Sequence, residues 1–325
     1  MKHQSGKRIT ATVAALILCF AAALSLAGCF LFGDGNDIAS VRERVETLRF
    51  ETSDTLVAAI NARDTQTIKS LFCEKTQELP DIDEQIEAGY EFLGGKIKSY
   101  KVSGSTSYEG YANDYGTVSE YDFGSEIFIT SDSGKEFGLY FKINYITSEK
   151  PIAGMTFFNL YENKSGNEDY EKRMVGYPWS SPYDAEGGVI TARLVKAIAG
   201  KDENGLKKLL HEKTLESPTL ADEIKAVFDF FDGAPVFTER ADGLYDYSND
   251  EKDFTCSVSG IAREEADRLR IRVIARPVCT DTGKRYELEF IATLSADTKH
   301  ELIGIEYISV EDWDSDERVR LGSWE

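Results

Sequence analysis

Two stretches of this chain are versions of one another. LVAAINARDTQTIKSLFCEKTQELP, from Leu56, aligns without a gap with LVKAIAGKDENGLKKLLHEKTLESP, from Leu194. The offset of 138 residues carries on through Ile86 and Ile224, Phe92 and Phe230, and Gly95 and Gly233, with roughly 16 of 40 positions identical. A second match closes each half at an offset of 149: SDSGKEFGLYF from Ser131 pairs with TDTGKRYELEF from Thr280. IAGMTFFNLYE and LIGIEYISVED follow in the same order. The chain therefore reads as a tandem duplication, and any fold assigned to one half has to serve the other.

Within each half the apolar period changes from helical to extended. Leu56, Ala59 and Ile60, then Ile68, Leu71 and Phe72, then Ile82, Ile86, Tyr90 and Leu93 fall at helical spacings, and their counterparts keep the pattern. Asp64 and Asp202 stand just before the second stripe, where a carboxylate can accept the free amides of a first helical turn. Gly95 and Gly233 suit a helix stop. Beyond them the period is two: Phe137, Leu139, Phe141, Ile143 and Tyr145 in one half, Tyr286, Leu288, Phe290, Ala292 and Leu294 in the other. Further strands are expected over 96–102, 116–130, 254–261 and 269–278. The expected fold class is α+β, with helices covering one face of an antiparallel sheet in each half.

Helices that run straight into a long curved sheet resemble the nuclear transport factor 2-like superfamily, whose domains are cones with a pocket between helices and sheet. More closely, the IKSLF and LKKLL helices and the EFLGGKI stretch look like a family of uncharacterised bacterial lipoprotein domains. That resemblance implies fold and location, and it carries no catalytic residue.

The start of the chain points the same way. Lys2, Lys7 and Arg8 precede an uncharged apolar run from Ile9 to Leu26, the layout of a secretory signal. The run is rich in Ala, Thr and Ser and ends in small residues, against a membrane-spanning anchor. Leu26, Ala27, Gly28 and Cys29 resemble a bacterial lipobox. The resemblance implies cleavage after Gly28, acylation of Cys29, and a lipid-anchored protein on the extracytoplasmic face of the cell membrane. The organisation expected is a signal peptide over 1–28, a lipidated tether over 29–50, one α+β domain over 51–162, a linker over 163–183 and a second domain over 184–325.

The formal charge of −20 falls to about −23 once the basic leader is removed. Such a chain repels phosphate backbones, which excludes a nucleic-acid partner. Chemistry is sparse. His211 and His300, left after the leader is removed, have no nucleophile in recognisable context and read as surface histidines. Cys73 and His211 occupy aligned positions, but no CxxC or HExxH spacing supports zinc, so neither a metal nor a cofactor is expected. DWDSDERVRLGS, from Asp312, lacks the sixth-place glycine and the twelfth-place glutamate of a calcium loop. Cys256 is expected opposite about Val273 in a hairpin, too far from Cys279 for a disulfide.

What remains is a binding module for a small molecule or an envelope protein, with an isomerase- or dehydratase-like enzyme in the first domain as the alternative. Tyr90, Tyr140 and Tyr145 are the candidate pocket residues, since relatives of cone architecture set an acid or base opposite a tyrosine. Phe228, Phe230 and Phe231 predict a more filled second domain. A transporter's solute-capture protein is argued against, because its lobes would alternate strands with helices.

Overall fold

The computed structural model describes residues 37–114, 117–147, 152–162, 172–177, 182–236, 255–265, 268–295, 302–315 and 317–323. Gly28, Cys29, His300 and most of the segment read as a linker lie outside them. The chain divides into two compact units, with the main division after residue 178.

The first unit opens with α1 (Ile38–Ala62), which begins inside the segment read as a tether. Asp37 caps it, accepting from the amides of Ala39 and Ser40 at 3.1 Å each. α1 ends in Arg63, left-handed at φ 50°. Asp64 then starts α2 (Thr65–Leu71), its carboxylate accepting the Thr67 amide at 3.0 Å. α3 (Glu74–Gln77) is a single turn, and α4 (Ile82–Leu93) carries the third apolar stripe. It stops one residue earlier than the sequence suggests, with Gly94 taking the left-handed position at φ 65°.

The sheet that follows holds β1 (Ile97–Val102), β2 (Tyr108–Asp114), β3 (Thr117–Ser131), β4 (Glu136–Ile146), β5 (Gly154–Glu162) and β6 (Lys172–Gly176). Its order is β1-β3-β4-β5-β6, with β2 also on β3. Leu139, Phe141, Phe158 and Leu160 are buried on the helix side, where Phe72 stacks on Phe158 with ring centres 5.9 Å apart. Phe137, Leu139, Phe141 and Ile143 of β4 are buried as the alternation anticipates, Tyr145 is half-buried, and β5 is buried on both faces from Met155 to Leu160.

The second unit repeats this order of elements. α5 (Pro182–Ala199), α6 (Glu203–Leu209), α7 (Glu212–Leu215) and α8 (Leu220–Phe230) precede β7 (Pro235–Val236), β8 (Thr255–Glu265), β9 (Arg268–Thr280), β10 (Arg285–Ser295), β11 (Leu302–Asp312) and β12 (Arg318–Gly322). The sheet runs β7-β9-β10-β11-β12, with β8 also on β9. Lys201 takes φ 47° where Arg63 takes φ 50°, and Asp202 accepts the Gly205 amide at 2.9 Å. Of Phe228, Phe230 and Phe231, the last two pack around Tyr286, with ring centres 5.9 and 4.6 Å away, yet this unit, expected to be the more filled, holds a cavity of about 450 Å³.

The strands expected from sequence leave out β2, β5, β6, β7, β11 and β12, of which β6 falls in the expected linker. Cys256 faces Ala275 rather than Val273, and Cys279 faces Arg285 and Val236. The two cysteines are therefore out of register by four residues along β9, and Cys279 is half-buried. No helix among the described residues is long and apolar enough to cross a membrane.

Candidate functional site

The site is built on a bulge. In β11, Ile305 faces Ala292 and Tyr307 faces Ile291, so Glu306 is left without a cross-strand partner. A residue squeezed out of a ladder in this way can aim its side chain where a regular strand cannot. The chain entering α7 lies against the same point. Leu210 forms a parallel bridge with Ile305, and the His211 amide donates to the Ile305 carbonyl at 2.8 Å. Thr214 donates its hydroxyl to the Glu306 carbonyl at 3.1 Å. Contact this close needs Gly304, because a Cβ there would stand 2.4 Å from His211 Cα.

The first unit has the same frame with different side chains. Met155 faces Ile143 and Phe157 faces Lys142, leaving Thr156 as the bulged residue. Phe72 bridges Met155, the Cys73 amide donates to the Met155 carbonyl at 2.7 Å, and Thr76 donates to the Thr156 carbonyl at 2.9 Å. Cys73, Gln85 and Thr156 thus stand where the second unit has His211, Glu223 and Glu306.

Those replacements line a polar cavity of about 450 Å³ in the second unit. Its floor is held by ion pairs and hydrogen bonds. Arg270 reaches Glu306 Oε2 at 2.6 Å, and Thr293 donates its hydroxyl to the other oxygen of that carboxylate. Glu223 accepts the Gly322 amide at 2.9 Å and the Thr219 hydroxyl at 2.5 Å. His211, only 5 % exposed, accepts the Lys213 amide on Nδ1 at 3.2 Å. In the neutral imidazole this puts the proton on Nε2, the nitrogen with no protein partner among the described residues. Lys213 and Arg268 also line the cavity, are exposed, and have no charged partner among the described residues.

The candidate tyrosines of the first unit are not brought together. Tyr90 is buried on the helix side, with the Arg63 guanidinium 5.5 Å from its ring centre and its hydroxyl without a hydrogen-bond partner among the described residues. Burial raises its pKa. Tyr140 lies on the other face of the sheet. Its neighbour in sequence, Leu139, is in register with Leu160, which packs toward Gly89 of α4, while Tyr140 sits 5.9 Å from Phe157, ring centre to ring centre. Glu126 is directly across the strand from Tyr140, accepts the Tyr161 hydroxyl, and has its carboxyl pushed up by burial. Tyr145 is half-buried at a register shift between β3 and β4. No group of three or more His, Cys, Asp or Glu side chains among the described residues is arranged to hold a metal. The acidic turn from Asp312 is closed by its own backbone, the Asp312 carboxylate accepting the Asp314 and Ser315 amides at 2.8 and 3.2 Å.

Sequence reasoning missed Arg268, Arg270, Thr293 and Glu306, and it took His211 for a surface residue. A usable signal existed in the aligned halves, where Cys73 becomes His211, Gln85 becomes Glu223 and Thr156 becomes Glu306. Aligned positions that keep their place but change their chemistry mark where one half has been adapted.

No curated protein matches the chain. Residues 55–153, from within α1 to the residue before β5, match a family described as a domain of unknown function, DUF5104.

Proposed function

We propose that the protein is a lipid-anchored lipoprotein of the cell envelope, tethered through Cys29, and that its second unit is a binding module for a small polar ligand. The observation that carries the ligand reading is the cavity at Glu306, about 450 Å³ and lined by ionisable and hydroxyl side chains on a frame that the first unit shares. Pockets of some 300 to 1,000 Å³ with a few convergent polar groups are the usual form of a small-molecule site. The two units are read as tandem nuclear transport factor 2-like cones; the repeated order of elements, the repeated bulge and the bridge from the α2–α3 or α6–α7 turn support that reading. Two or three acyl chains on one cysteine give stable membrane attachment where a single chain is marginal.

Native mass spectrometry of the full chain in detergent, after incubation with an envelope extract, tests the ligand reading. A discrete added mass that disappears in Ser217→Trp, which fills the cavity, is the expected result. No adduct, or one indifferent to that substitution, overturns it in favour of a protein-binding role. Incorporation of labelled palmitate, lost in Cys29→Ser, tests the anchor.

A second reading, an acid–base enzyme in the first unit, is favoured by Glu126, whose carboxyl is raised by burial directly across from Tyr140. A carboxyl kept protonated nearer neutral pH is what a general acid requires. Turnover of an added substrate by the full chain, lost in Glu126→Gln, would replace the binding reading.

A further inference from the structure

We infer that the ligand of the second-unit cavity carries a carboxylate or phosphate group, held by Lys213, Arg268 and the Nε2–H of His211. This rests on the ligand-binding reading above and adds the chemistry of what binds.

Each carboxylate oxygen in the cavity already holds a partner: Glu306 takes Arg270 at 2.6 Å on one oxygen and the Thr293 hydroxyl on the other. Glu223 takes Gly322 N–H at 2.9 Å and Thr219 Oγ1 at 2.5 Å. The acids are therefore committed to the frame, and Glu306 largely cancels the charge of Arg270. The uncommitted charged groups and the imidazole N–H are donors, and the Ser323 hydroxyl can act either way. Lys213 offers three N–H bonds, Arg268 five in a planar fork, and His211 one from Nε2. With the imidazole neutral, the described lining residues sum to a net charge of about +1, in a chain whose total is −20. A local positive site on a strongly negative protein concentrates field on a small anion while the rest of the surface repels large polyanions.

The first unit serves as an internal control. Its frame is the same, yet the cross-strand row that reads Arg270 and Thr293 in the second unit reads Asp122 and Asn144 in the first. Asp122 there pairs with Lys142 at 2.9 Å. Lys75 stands in the first unit where Lys213 stands in the second, but the fold needs neither arginine nor histidine at this place, so Arg268 and His211 belong to what the second unit binds. Arg forks suit carboxylate and phosphate oxygens better than point charges do.

The test is calorimetric titration of the full chain in detergent with citrate, inorganic phosphate, glucose and putrescine, at matched ionic strength. Saturable binding of citrate or phosphate is expected, with Kd raised about ten-fold or more in Lys213→Ala/Arg268→Ala. Lys213→Arg/Arg268→Lys, which keeps the charges, should retain most of the affinity. A rise in Kd with added salt is also expected. Failure of both anions to bind, or binding indifferent to the double alanine variant, overturns the inference. If glucose, putrescine or the envelope-extract adduct then still binds and is blocked by Ser217→Trp, the pocket stands and only its anion chemistry falls. If nothing binds and no adduct forms, both fall together.

Discussion

Glu223 Oε2 accepts the backbone N–H of Gly322 at 2.9 Å, and in the first unit Gln85 Oε1 accepts that of Gly176 at the same 2.9 Å. The bond ties the fourth helix of each unit to the end of its last strand. A neutral amide does the work in one unit and a carboxylate in the other, so the frame requires an oxygen and not a charge.

Glu223→Gln should accordingly leave stability within about 0.5 kcal/mol of the parent, while Glu223→Ala, which strands the Gly322 amide, should cost about 1 to 3 kcal/mol. Urea midpoints of the three proteins decide it, and equal losses for Gln and Ala would show that the charge matters after all.

Gly304→Ala should destabilise the second unit by about 1 to 3 kcal/mol. The new methyl would lie 2.4 Å from His211 Cα and 2.6 Å from His211 N, both backbone atoms with no flexible end to give way. The same change should slow or abolish citrate binding by displacing His211. Thermal unfolding followed by circular dichroism provides the measurement.

Tyr100 donates its hydroxyl to Asp54 Oδ1 at 2.6 Å, and this bond pushes its pKa up to about 12, with burial and the Asp54 charge adding to the effect. The folded state holds the phenolic proton more tightly than the unfolded chain, so the stabilisation is full below about pH 10 and is lost as pH rises toward 12. Asp54→Asn should bring the phenolate absorbance of Tyr100 to lower pH and remove that part of the alkaline dependence. An unchanged titration curve would place the cause elsewhere.

Cys73 is buried and its thiol pKa is raised by that burial, whereas Cys279 is half-buried. The thiolate is the reactive form. A maleimide applied to the native protein should therefore label Cys279 well ahead of Cys73 in peptide mapping, and the order should vanish in denaturant.

What could be read in the sequence was whatever the sequence encodes locally. Asp64 and Asp202 cap the helices they precede because the capping bond spans three residues, and Phe137, Leu139 and Phe141 of β4 and Tyr286, Leu288 and Phe290 of β10 are buried at every second position. Of the missed strands, β2 has no such buried row. Tyr108 and Tyr111 of β2 are about half exposed, so neither side of that strand shows a hydrophobic period. The early start of α1 was hidden for a related reason: Arg49 is fully buried there, made tolerable by Glu46 at 2.6 Å and by the Ser103 carbonyl. The cavity was out of reach because it depends on register. Nothing around Glu306 announces that the ladder slips by one residue, and only that slip brings Arg270, Thr293 and Glu306 to one place. Tyr140 and Tyr90 fail to converge because Tyr140 points to the sheet face opposite Leu139, away from the helix that carries Tyr90.

The bond from the His211 amide to Ile305 closes a loop of 94 residues, and that from Cys73 to Met155 one of 82. Closing so long a loop costs roughly 2 kcal/mol more chain entropy than closing a ten-residue one. Such high contact order makes folding slow. It also fixes a sequence of events for a chain that emerges from its N-terminus. The helices of each unit wait, unpinned, until their own fifth strand has appeared, and the first unit can finish that task while the second is still being made. A premature stop ahead of Ile305 would leave the His211 amide without its acceptor, so the truncated product would be cleared by proteases instead of surviving as a shorter working protein.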